Sequence, residues 1–131
     1  MREIKLIFLI LLVAFIVQEV KSQSIPREIV TATQGGNASD LAKFFNDRVE
    51  LILPSKSGVY SKEQARFIMA DFFTSSRPTS FQINHEGKRD NSSYAIGSYV
   101  SSRDKFRFYF LTKIVDNKTV ITQIRVDKQD E

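Results

Sequence analysis

The sequence predicts an α+β domain in which N-terminal helices pack on one face of a curved, mostly antiparallel sheet. Two observations carry this. Apolar residues recur at helical spacing in the first half, most clearly at Ala65, Ile68, Met69, Phe72 and Phe73. From Thr79 onward they alternate in short runs separated by turn residues, the signature of a strand meander. Helices followed by a run of strands is an α+β order.

The first 22 residues read as a cleavable secretory signal. Arg2 and Lys5 supply a positive start, Leu6 to Val17 is unbroken apolar sequence, and Val20-Lys21-Ser22 leads into a cleavage point after Ser22. Twelve helical residues reach only about 18 Å, short of a hydrocarbon core of roughly 30 Å, so an uncleaved membrane anchor is the lesser reading. The expectation is a leader over residues 1–22 and a single domain over 23–131, periplasmic or secreted, that meets a membrane only through a leader left uncleaved. The chain has no Cys, which removes disulfides, thiol catalysis and thiolate metal sites. No metal and no cofactor is expected. The formal net charge of +4 includes three basic and two acidic residues of the leader. The remaining balance suits solubility and does not point to nucleic acid.

Each element follows in turn. Ser24 and Pro26 read as a helix start, with Ile25 and Ile29 facing inward and Gly35-Gly36 ending the helix. Asn37 caps a second helix whose Leu41, Phe44 and Phe45 make an apolar face, and Asn46-Asp47 stops it. Val49 to Leu53 is a strand, and Pro54 to Gly58 a loop. Ser61 with Gln64 forms a capping box for the clearest helix. Four strands are then expected around turns at Gly87–Ser92, Ser102–Asp104 and Asp116–Lys118. The face carrying Phe106, Phe108, Phe110, Ile124 and Val126 is the core side, and the Ile68/Phe72/Phe73 stripe its partner.

Ile25–Val30, Phe44–Leu51, Val59–Lys62, Tyr94–Gly97, Phe106–Leu111 and Ile124–Val126 resemble the exported bacterial family called domain of unknown function 4783. The element order from Ile25 to Lys128 resembles the cone of nuclear transport factor 2 and ketosteroid isomerase, the cystatin-like arrangement in which a strongly curved sheet wraps helices. The resemblance implies that fold and an exported protein. It carries no established reaction, and the wider fold hosts enzymes, ligand binders and adaptors alike.

Candidate chemistry is sparse. His85, the sole histidine, shares the parity of Phe81 and Ile83 and is the one weak catalytic candidate, as a base in a cone pocket. Its bland alternative is a solvated strand-end residue. Asp71 falls off the apolar stripe and reads as solvated; Glu50 and Glu86 sit on outward parities. Tyr99, Arg107, Tyr109, Leu111, Ile121, Gln123 and Arg125 share an outward parity across three strands. Tyr, Arg and aliphatics are enriched at interfaces, so this set is the candidate surface for self-association or a partner; the alternative is an ordinary sheet face. Tyr60 is either a residue at the pocket mouth or a hydrophobic staple before the capped helix. Three Asn-X-Ser/Thr patterns, at Asn37, Asn91 and Asn117, are common by chance. The leading expectation is non-catalytic binding of a protein partner or small ligand, with a homodimer through the outer sheet face. A small-pocket enzyme using His85 and a cell-envelope structural role are the alternatives.

Overall fold

The computed structural model describes residues 24–130, so the expected leader and its cleavage point lie outside the described residues. Helices α1 (Arg27–Gln34) and α2 (Ala38–Ala42) lead into strands β1 (Phe45–Ile52) and β2 (Ser57–Ser61). Helix α3 (Lys62–Ser75) then precedes β3 (Pro78–Arg89), β4 (Ser92–Ser101), β5 (Lys105–Val115) and β6 (Lys118–Gln129). One six-stranded sheet has the order β2-β1-β6-β5-β4-β3, antiparallel except where β1 runs parallel to β6.

Helix starts follow the side chains that can satisfy free backbone N–H groups. Asn37 accepts from the Asp40 N–H, and Ser61 and Gln64 cap each other reciprocally at the head of α3. Ser24 does not cap α1. Its backbone N–H and its hydroxyl each donate to Glu86 Oε1 at 2.6 Å, and Pro26 stands at the N-cap position instead. Helix α2 ends at Ala42, and Phe45 already belongs to β1, where its pairing with Ile121 of β6 outcompetes a further helical turn. Ser57–Ser61, expected as the end of a loop and the start of a helix, forms a sixth strand because β1 offers it a full antiparallel register from Arg48↔Ser61 to Ile52↔Ser57.

The core lies between the three helices and the concave face of the sheet. Ala65, Met69 and Phe73 of α3 are buried, while Ile68 and Phe72 pack against the core from the edge of that stripe. They meet Phe106, Phe108, Phe110, Ile124 and Val126, as the alternation predicts, together with Phe81. Tyr99 lies among them rather than on the outer face, and is fully buried. Its ring stacks on Phe108 with centroids 4.7 Å apart and contacts Phe72 at 5.5 Å. The inward side of β4 is therefore Ala95, Gly97, Tyr99 and Ser101. Small residues occupy that side because neighbouring rings fill the space: a Cβ at Gly97 would sit 2.6 Å from the Phe81 ring and 2.7 Å from the Gln82 carbonyl oxygen.

Two bulges change which way side chains point. Between Ile83↔Gly97 and His85↔Ile96 the register of β3 slips at Asn84, so His85 leaves the parity of Phe81 and Ile83, and is exposed. The same slip moves Glu86 off the outward parity, opposite buried Ala95. Between Leu111↔Gln123 and Thr112↔Ile121, β6 slips at Thr122, and Ile121 turns inward to full burial. An extra residue in a ladder moves every side chain beyond it to the other face.

Replacing Gly97 by Ala forces a methyl against one ring and a backbone oxygen, neither of which has free space to retreat into. Thermal unfolding should show a loss of about 1–3 kcal/mol. Unchanged stability in Gly97→Ala would mean the rings over β4 are not closely packed.

Candidate functional site

Three regions could hold function: the interior of the cone, its rim, and the outer face of the sheet. The interior is filled. Phe72, Phe81, Tyr99, Phe106 and Phe108 touch one another with ring centroids 4.7–6.4 Å apart, in stacked, tilted and edge-on arrangements. The polar end of Tyr99 is satisfied by donating to the Ser76 carbonyl oxygen at 2.5 Å, where the chain leaves α3. Burial pushes the Tyr99 hydroxyl well above the ordinary tyrosine value of 10.0.

At the rim, a cleft of about 310 Å³ opens between the β1–β2 loop and the C-terminal half of α3. Leu53, Ile68, Phe72 and Phe106 give it an apolar floor, and Lys56 and Asp71 stand at its edge. Asp71 is thus solvated, as its spacing predicts, yet borders a concavity that spacing could not reveal. Tyr60 packs its ring over Gly58, where a built Cβ would lie 2.9 Å from the phenol oxygen, and lies half-buried against the core. It does not line this cleft. Among the described residues, no cluster of three or more His, Cys, Asp or Glu could hold a metal ion, and no helix is long and apolar enough to cross a membrane.

The outer face is built by direct cross-strand pairing. One row runs Gly87–Tyr94–Leu111–Gln123–Glu50–Val59 through six strands. The next runs His85–Ile96–Tyr109–Arg125–Ile52. Arg107 pairs with Ser98 and Asp127 in a third. Of the residues expected on this face, Arg107, Tyr109, Leu111, Gln123 and Arg125 are here, and Tyr99 and Ile121 are in the core. Sequence reasoning missed Tyr94, Ile96, Ile52 and Val59, the partners that make the face continuous. Their strands pair in a register that no local spacing encodes. Tyr94 and Tyr109 stack with centroids 6.3 Å apart. Gln123 Nε2 donates to Glu50 Oε1 at 2.5 Å, and Arg125 pairs with Asp127 at 3.1 Å. These contacts hold the polar members in place between the apolar ones.

Glu86, like Glu50, is bound to a distant part of the chain. Two hydrogen bonds from Ser24 hold its carboxyl below the ordinary glutamate value. They tie the start of the described chain to the exposed edge strand β3, and the Gln34 side chain covers the same edge by donating to the Phe81 carbonyl oxygen at 3.1 Å.

The sequence profile of the family described as domain of unknown function 4783 matches residues 26–127. A family protein from Bacteroides uniformis is 40% identical, with a TM-score of 0.78, and the match covers 82% of this chain and 99% of that one. One from Bacteroides ovatus is 37% identical, with a TM-score of 0.80, covering 84% of this chain and 100% of that one. A nuclear transport factor 2-like protein of unknown function from Silicibacter pomeroyi is 10% identical, with a TM-score of 0.60, covering 79% and 88%, and shares the fold alone. No curated protein matches. The chain belongs to the domain of unknown function 4783 family and has a nuclear transport factor 2-like fold.

The buried hydroxyl gives a pH test with a defined sign. A phenol whose folded pKa lies above its unfolded value stabilises fully below pH 10.0, and that stability is lost as pH rises above it. In an alkaline ultraviolet titration, the Tyr99 phenol should ionise late, only as the protein unfolds. Tyr99→Phe should remove the late component. Ionisation of Tyr99 in the folded state would contradict the burial.

Proposed function

We propose that this domain is an exported, non-catalytic binding module that associates with itself through the outer face of β4, β5 and β6. The observation that carries this reading is the contrast between the two sides of the sheet. The inner side, where an enzyme of this fold class would need room for substrate, is occupied by aromatic rings. The outer side has no covering layer among the described residues, yet presents Tyr94, Ile96, Tyr109, Leu111 and Ile52 in contiguous rows. Apolar and aromatic groups at the centre with Arg107, Arg125, Asp127 and Glu50 interspersed is the composition of an interface. The Tyr94–Tyr109 pair offers large contact area at small entropic cost, because a tyrosine has few rotatable bonds to immobilise. The export part of the reading is supported by the leader-like pattern of residues 1–22. His85 does not serve a cone-pocket enzyme, since it is exposed on its strand.

The rim cleft supports a second reading, small-ligand binding, through its apolar floor and the charged pair Lys56 and Asp71. Its volume stands at the lower end of the roughly 300–1,000 Å³ range typical of ligand sites.

Sedimentation of the chain recovered from an exporting host, with its N-terminus read by intact mass, tests the leading reading. A dimer is expected, and Tyr109→Glu and Leu111→Glu should each weaken it by more than about tenfold, because each buries an unpaired charge. Circular dichroism of both variants should be unchanged. A monomer at high concentration, with both variants silent, would overturn self-association.

A further inference from the structure

Beyond the last core residues, β5 and β6 continue as a two-stranded ribbon that turns at Asp116-Asn117. Both turn residues have left-handed backbone, φ 51° and 62°, as a two-residue hairpin with the twist of its strands requires. This ribbon carries exposed aliphatics on both of its faces. Ile114 is 53% exposed and follows the inward parity of Phe108, Phe110 and Thr112, but lies past the helices that cover them. Val115 is 37% exposed and follows the outward parity of Tyr109, Leu111 and Lys113. Basic residues outnumber acidic ones around them: Asp116 sits in the turn itself and Asp90 in the neighbouring β3–β4 turn, against Lys88, Arg89, Lys113 and Lys118. Lys118 pairs directly with Val115, Lys113 lies in register with Ser92, and Arg89 is the next residue of that row on β3. The ion pairs among the described residues are Asp40–Lys43, Glu63–Arg66, Asp127–Arg125 and Asp104–Lys128, so Arg89, Lys113 and Lys118 have no carboxylate partner there.

We infer that the β5–β6 ribbon tip is a contact site for an anionic membrane surface, with Ile114 and Val115 entering the interfacial layer while Lys113, Lys118 and Arg89 meet lipid headgroups. Two arguments favour lipid over a protein partner. A partner with a fixed surface can cover one face of a ribbon, whereas Ile114 and Val115 project from opposite faces and a fluid layer can surround both. Past Lys113, no third strand among the described residues pairs with the ribbon to form the wall of a groove, which suits insertion rather than capture. Basic residues near an anionic surface are attracted to it, and buried apolar area adds to that attraction. The inference does not depend on self-association, whose rows lie further back on the sheet, and its test reads lipid binding rather than oligomeric state.

The test is flotation of the host-processed chain with phosphatidylcholine vesicles, with and without phosphatidylglycerol. Binding is expected only to the anionic vesicles and should weaken with added salt. Lys113→Glu/Lys118→Glu should reduce it by at least about tenfold, since two favourable charges become unfavourable. Ile114→Ser/Val115→Ser should also reduce it severalfold, while soluble polyglutamate should bind weakly and insensitively to that change. These surface substitutions should leave the circular dichroism of the fold unaltered. No binding to anionic vesicles would overturn the inference. So would equal binding to neutral vesicles, vesicle binding unmoved by either double variant, or polyglutamate binding as tight as vesicle binding.

Discussion

The packing of Tyr99 between α3 and β5 is the contact on which the rest of this structure depends. Its ring stacks on Phe108 and meets Phe72, Phe73 and Phe81, and its hydroxyl is anchored at the carbonyl of Ser76. That one side chain joins the end of α3 to the centre of the sheet. It also decides what the cone can do. A ring of this size in the middle of the concave face, with Phe81 closing over Gly97 and packing on Phe108, leaves the enclosed space to side chains rather than to a substrate.

From that packing the division of the molecule follows. Residues that point inward are committed to the core, so chemistry or recognition must occur on the exterior: at the rim, along α1 and α2, on the outer rows of the sheet, or at its far end. The rim offers a small cleft floored by the same rings that fill the interior. The outer rows combine stacked tyrosines with polar residues held by Glu50 and Asp127. The ribbon tip concentrates unpaired cations around two bare aliphatics. The edges are protected: Ser24, Glu86 and Gln34 occupy β3, which reduces pairing with stray strands.

Much of the fold was legible in the sequence. The capping box, the helical stripe and the Phe106/Phe108/Phe110 alternation rest on local spacing, and local spacing is what a chain displays directly. Sidedness was legible only as far as the first bulge. Thr122 and Asn84 carry no sign that they insert into a ladder, because the bulge arises from pairing with distant strands; Ile121 and His85 were consequently assigned to the wrong faces. Tyr99 misled for a different reason. Its strand places larger apolar residues, Tyr94, Ile96 and Val100, on the outer side and small ones on the inner side, reversing the usual reading of alternation. The reversal makes sense only once the ring of Phe81 is known to occupy the space above Gly97. Strand β2 was hidden because Ser57–Ser61 has little apolar pattern and owes its conformation to β1.

The most direct measurement of the central claim, a filled interior with recognition on the exterior, is native mass spectrometry of the protein taken from its own cells. A filled cone and an open outer face predict a dimer whose mass is that of two processed chains with nothing bound. A monomer that retains a stoichiometric small molecule under gentle ionisation, and keeps it when Ile68→Glu puts a charge in the floor of the rim cleft, would contradict it.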